Sequence, residues 1–565
     1  MRNWLRRSRT APVESFLVQA HNRVQQKQAT RAQTLVRHLL SRFQADDTGE
    51  DEQTVRRTLF LCAAAAIPPV FIAVMLYPAY HPIAMPPAYR PYWSQVGDEY
   101  LYVLYSFAVM GVTSILQWES IFPDLLDVFV LAVLPLPPGL LLRSRGLALA
   151  ILFGVALLCV AAPGTLLLPF VVEGPQVVRH LAAHALSAGA AGACSCTSLI
   201  ALQSVLEIGF GVRLAKRFTP FLQAGALLAL FVTLGYTPTL LNDLQQGSIF
   251  SSAAAGWLPP VWFLGMYEQI RGGAPDGQAW QALAKHAWLA TAASLLAAAI
   301  SYPIAYQRRT LFLIESGNAA VGGLRSPAWF TRLLHRTLVR TPQARATFHL
   351  IAQSVFRVSK LRTILTIYAG IGFALVLGTS IHQPTRAVAI LACAVVVGGS
   401  AVIRRSFMPR SAWLFRIMPA SESDPHVRGS TRVLALWATL AACGVLVVLL
   451  TGHGHGTTLP GVITAVTVAL MLPAILAPTL LLGFRDFPFT EERETTPEHF
   501  VLSLLRHLIV FPAGVIALGW IAGKAERSTA GLLLWLAGAF LIAAAFHQMN
   551  RPGGVFGPSS SASDV

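Results

Sequence analysis

Apolar positions in this chain gather into long runs separated by shorter polar stretches, with no sustained two-residue alternation. Runs of roughly 20 residues match the length a helix needs to cross a hydrocarbon core, and they do not fit the short alternating segments of an outer-membrane barrel. The pattern predicts an all-α, polytopic integral membrane protein of about twelve transmembrane helices. They fall near 58–77, 99–117, 146–171, 182–210, 218–237, 284–306, 363–380, 387–403, 433–451, 459–484, 507–523 and 530–548.

The polar stretches divide these runs into parts. Residues 1–57 form a cytoplasmic amphipathic segment, 58–306 a first six-span half, 307–362 a basic cytoplasmic linker, 363–548 a second six-span half, and 549–565 a disordered tail. Fused, related halves are common among transporters. A short echo links the two: Ser120-Ile-Phe-Pro123 and Ser406-Phe-Met-Pro409, followed by Leu134-Pro135 and Met418-Pro419. Chance similarity of short Pro-containing loops is the competing explanation.

Charge then orients the spans. With the amino terminus in the cytoplasm, only Arg90, Arg179, Arg271, Lys285, Arg386, Lys524 and Arg527 of the 43 Lys and Arg residues fall outside the cytoplasmic segments. Positive charge in short loops resists translocation, so this asymmetry places both termini on the cytoplasmic side of a cell (inner) membrane. The formal charge of +17 otherwise invites a nucleic-acid partner. The cations sit between apolar runs and build no basic domain, so nucleic acid is not expected and membrane lipid is.

Composition agrees: 54% of residues are hydrophobic and 12% charged, against about 25% charged in soluble domains. The six cysteines, Cys62, Cys159, Cys194, Cys196, Cys393 and Cys443, lie in apolar stretches and read as packing residues. No signal peptide is expected, because the first long apolar run begins near Thr58 behind a long polar segment.

Three apolar segments do not read as crossings. Leu35, Val36, Leu39, Leu40 and Phe43 share one helix face, among Arg31, Arg37, His38 and Arg42. Such a helix either lies in the lipid interface or packs on cytoplasmic loops. Trp118-Glu-Ser-Ile-Phe-Pro-Asp124 leads into Leu125–Leu142, which Asp127 and the prolines 135, 137 and 138 break into a short membrane-parallel helix. Between the fifth and sixth spans, Trp257-Leu-Pro-Pro-Val-Trp-Phe-Leu-Gly-Met-Tyr-Glu268 suits an external interfacial or re-entrant helix.

Chemistry-bearing patterns are scarce. Glu207, Asp98 and Glu99 fall near span ends, where an interfacial position is the plain reading. His180 and His184 share a helix face without a visible third metal ligand, and His453 and His455 read as a polar turn. There is no His-Glu-x-x-His, no Gly-x-Ser-x-Gly and no phosphate-cradling Gly-x4-Gly-Lys-Ser/Thr; the nearest approach, Gly523-Lys524-Ala525, has Leu518 where the first glycine belongs. No enzyme activity, metal or cofactor is expected. Any ATP used by this protein is bound by another chain.

The order of the three non-crossing segments resembles the permease subunits of ABC-2 type exporters. In that family the loop between the second and third spans forms a coupling helix that docks on a separate ATP-binding subunit. Here Glu119, Phe122, Pro123, Asp124, Asp127, Pro135, Arg143 and Arg145 are similar to that element, and Trp257, Pro259, Pro260, Trp262, Tyr267 and Glu268 to the external re-entrant segment. The resemblance covers roughly residues 30–310. The short loop Ala522–Thr529 departs from it in the second half. It implies export of a substrate it does not identify. A non-transporting membrane scaffold or assembly factor is the alternative.

Overall fold

A computed structural model describes residues 32–40, 51–81, 91–131, 134, 136–172, 177–251, 256–272, 277–316, 332, 334–336, 339, 341–379, 383–404, 423–452, 459–481, 488–489, 520–521, 524 and 528–549. The fold is all-α, 92% helical, with no strand among the described residues. Helix α1 covers 32–40. The helices that follow are α2 (Asp51–Tyr80), α3 (Tyr92–Leu116), α4 (Leu125–Leu131), α5 (Pro138–Val172), α6 (Val177–Gly235) and α7 (Thr237–Gln245). After a 3-10 turn at Ile249–Ser251 come α8 (Pro259–Arg271), α9 (Gly277–Ser316), α10 (Pro342–Arg357), α11 (Ser359–Thr379), α12 (Pro384–Arg404), α13 (Ser423–Gly452), α14 (Leu459–Leu480) and α15 (Thr529–Met549).

Among the described residues, eight helices are long and apolar enough to cross a membrane, as expected of a multi-pass membrane protein. One of them, Val177–Gln245, is 69 residues long, far beyond a single crossing of about 20 residues. Gly211 explains it: φ 76 and ψ 158 end one helical stretch and start another between the expected fourth and fifth spans. Only a residue without Cβ takes that conformation cheaply. The runs Leu361–Leu377 and Thr529–Gly538 are apolar but shorter. Most of the run 507–523 lies outside the described residues, as do Pro135, the segment 405–422, His453, His455 and the tail.

The described chain gathers into two compact units that interleave in sequence. One draws on 1–90, 98–215 and 259–319, and the other on 91–97, 216–258 and 320–565.

In the first unit, α2 exposes Ile67, Phe71, Val74 and Met75, the surface of a lipid-facing helix. Pro68 and Pro69 lie inside it. Pro69 has no N–H to give the carbonyl of Ala65 four residues earlier. The Tyr105 hydroxyl donates to that oxygen instead, at 2.7 Å, so α3 supplies the missing bond. The Ser106 hydroxyl donates to the Ala188 carbonyl at 2.7 Å, tying α3 to α6, and Thr197 donates to Ser294 at 2.8 Å, tying α6 to α9. The apolar face of α1, Val36 and Leu39, is buried against Ala148 of α5 while Arg37 and His38 stay exposed.

In the second unit α12 is central, with 83% of its span buried among α11, α13 and α14. Small residues permit that. A Cβ on Gly372 would come within 2.5 Å of Ala394 Cβ, and one on Gly398 within 2.5 Å of Tyr368 Cβ. The residues 216–258 belong here: a Cβ on Gly370 would strike the Phe231 ring, and Gly235 lies against the backbone of Ala374.

Candidate functional site

The segment after α3 is held by side chains from three other helices. Asp124 caps α4: the Asp127 amide donates to Asp124 Oδ1 at 2.7 Å and the Asp124 amide to Asp127 Oδ2 at 3.2 Å, a reciprocal cap that satisfies the first turn. Asp127 Oδ2 also pairs with Arg145 Nη1 at 2.7 Å, both side chains almost fully buried. The same guanidinium donates to three consecutive carbonyls, from Nη2 to Ser120 (2.6 Å) and Phe122 (2.7 Å) and from Nε to Ile121 (3.2 Å). Its planar fork of five donors allows one side chain to bind four acceptors.

Neighbouring spans add to this clamp. Tyr302 donates to the Ile121 carbonyl at 3.1 Å and stacks on Phe122 at 5.3 Å, and Gln203 donates to the Trp118 carbonyl at 3.1 Å. Arg309 pairs with Glu207 at 2.5 Å and lies over the Phe122 ring at 5.4 Å. Glu207, near the cytoplasmic end of the expected fourth span, is therefore buried in protein and ion-paired.

Of the residues read as a coupling segment, Phe122, Pro123, Asp127 and Arg145 are buried, and Glu119, Asp124 and Arg143 are exposed. Phe129, Val130 and Leu134 add exposed apolar surface to the same segment. Pro138 begins α5, a position that tolerates a missing N–H, so Arg143 and Arg145 lie in the first turns of that helix.

The second group of expected residues occupies α8, packed on α9. Gly265 permits the contact, since a Cβ there would come within 2.5 Å of Leu283 Cβ. Trp257 is exposed, Pro259 and Trp262 are half-buried, and Pro260, Tyr267 and Glu268 are buried. Glu268, expected in an external interfacial or re-entrant helix, lies on α8 in a buried ion-pair cluster. Arg271 Nη1 lies 2.7 Å from Glu99 Oε1 and 3.2 Å from Glu268 Oε1. Glu99, expected at an interface, is 1% exposed, and Asp98 is buried with the Tyr80 hydroxyl donating to it at 2.9 Å. His180 Nδ1 meets the Tyr267 hydroxyl at 3.3 Å, and His184 Nδ1 meets Thr165 Oγ1 at 2.9 Å. Burial, then the neighbouring Glu99, push the Tyr267 hydroxyl well above its ordinary value, so it keeps its proton. Among the described residues no group of three or more His, Cys, Asp or Glu is arranged to hold a metal ion.

A third pair lies in the second unit, where His335 Nε2 and His349 Nε2 are 2.7 Å apart. One ring must donate and the other accept, so a doubly protonated pair has no bond. Burial, then the neighbouring His335, lower the pKa of His349 below 6.5. A base with a lowered folded value binds fewer protons folded than unfolded, so stability is full above 6.5 and falls as pH drops through the folded value. Thermal unfolding should therefore shift downward on acidification below that point. His349→Phe should flatten the dependence, and an unchanged slope would discard this account.

No protein-family model, no curated protein and no solved structure matches this chain.

Proposed function

We propose that this chain is the membrane-spanning permease subunit of an exporter whose ATP is hydrolysed by a separate subunit, with about twelve spans and both termini cytoplasmic. The observation that carries the reading is the Arg145 clamp. A docking element passes a push to the spans only if it moves with them, and a guanidinium bound to Asp127 and to the carbonyls of 120–122 joins the segment to α5, while Tyr302 and Gln203 join it to α9 and α6. The exposed Glu119, Asp124, Phe129 and Arg143 are then the surface offered to the partner.

Purification from mild detergent should recover a nucleotide-binding subunit in fixed ratio to this chain. The double variant Phe129→Asp/Arg143→Glu should lose that subunit while keeping its own unfolding temperature, because neither side chain is buried. A chain that is always isolated alone, or a variant that keeps its partner, would remove the segment from this role. The alternative, a non-transporting membrane scaffold, draws support from the apolar packing around α12, where Val388, Ala389, Ala392, Val395 and Val396 are all buried.

A further inference from the structure

Two histidines of the second unit aim the same ring atom at one point. His335 Nε2 and His349 Nε2 lie 2.7 Å apart, with the ring planes at 82° to each other. Both side chains are half-buried, so the point between them is within reach of solvent. Neutral imidazole nitrogens brought together in this way are the commonest protein ligands of transition-metal ions.

Arg345 holds the pair in place. Its Nη2 donates to the His335 carbonyl at 3.2 Å and its Nε to the Val339 carbonyl at 2.9 Å, while the Val339 amide donates to the Leu334 carbonyl at 3.0 Å. Arg345 and His349 are four residues apart on α10 and share a face, so the arginine fixes the backbone of His335 over the imidazole one turn further on. Phe348 stands edge-on to the His349 ring at 5.6 Å. Supporting contacts of this kind orient the ligands of metal sites. His180 and His184 are also four residues apart, but their Nδ1 atoms go to different hydroxyls, those of Tyr267 and Thr165, and share no focus.

Ligand count and local charge select the ion. Among the described residues no third His, Cys, Asp or Glu joins the pair, and the chain has no Asp or Glu between Glu315 and Glu422. Zinc takes four ligands, and calcium and magnesium take oxygen. The sequence around His335 is cationic instead, with exposed Arg332 and Arg336 on either side of it. A monovalent ion that is content with two nitrogens in line fits both facts, and copper(I) is that ion. With metal–nitrogen bonds of about 2.0 Å, the two atoms would open from 2.7 Å to about 4 Å, a movement that half-buried rings make by turning about their side-chain bonds.

We propose that His335 and His349 form a two-coordinate copper(I) site that ties the chain around His335 to α10. The site is independent of the ATPase partner proposed above, and either idea can fail without the other.

The full chain in detergent micelles, titrated with copper(I) under anaerobic, reducing conditions against a chromogenic copper(I) chelator, tests this. The six cysteines and nine methionines can take up copper of their own, so the quantity read is the difference between variants. His335→Phe and His349→Phe should each lower the bound copper by one ion per chain, and X-ray absorption should lose a two-nitrogen component with it. His335→Asn and His349→Asn repeat the measurement if a Phe variant does not fold. His349→Met replaces the imidazole by a thioether, a ligand that suits copper(I) and not zinc, and should keep the ion. Zinc(II) binding should be the same in the wild type and in every variant. Copper uptake indifferent to both positions, loss of the ion from folded His349→Met, or a zinc ion lost in place of copper overturns the proposal.

Discussion

Replacing Arg145 by leucine should cost about 3–5 kcal/mol of stability, the usual penalty for removing one partner of a buried ion pair. The loss falls on more than one bond: Asp127 keeps its charge without its counter-ion, and the carbonyls of Ser120, Ile121 and Phe122 lose their shared donor. Arg145→Lys should restore only part of it, because an ammonium brings the charge but not the planar fork that reaches four acceptors. Arg143→Leu, two residues away and exposed, should change stability by no more than about 0.5 kcal/mol. Equilibrium unfolding in mixed micelles compares the three. Equal losses for Arg143 and Arg145 would mean the clamp contributes nothing.

Gly235→Ala carries the second-largest expected effect. The added Cβ would stand 2.6 Å from the Ala374 carbonyl oxygen and 3.0 Å from its Cα. Those are backbone atoms, so no rotamer change relieves the contact and the two helices must separate. Overpacking of this kind costs about 1–3 kcal/mol. Gly225→Ala on the same helix meets nothing within 4 Å and should instead stabilise slightly, by about 0.5–1 kcal/mol, through helix propensity. If the two substitutions shift the unfolding midpoint alike, the close approach of residues 235 and 374 does not exist.

Much of the fold was legible in the sequence because bilayer crossing imposes a length and an apolar composition on each helix, and both are written locally. The break at Gly211 sits in the polar gap between two expected spans, and α4 ends ahead of the proline cluster at 135–138. The ion pairs were not legible, for a physical reason. Glu99 and Arg271 are 172 residues apart, and Glu207 and Arg309 are 102 apart. Nothing local marks such partners, and each charge taken alone reads as an interfacial residue at a helix end. Arg145 stands between the two cases: the sequence places a cation beside the segment at 118–127, but only the structure shows that it faces inward while Arg143 faces out.

The interleaving of the two units sets an order of assembly during synthesis. Every segment of the first unit has been made once residue 319 has left the ribosome, so that unit can close while translation continues. Residues 216–258 cannot settle so early. Phe231 and Gly235 await Gly370 and Ala374, more than a hundred residues downstream, a delay on the order of ten seconds at ordinary elongation rates. For that interval a finished helix keeps a notched face without its complement in the membrane, and the nascent chain depends on lipid or on the insertion machinery to cover it.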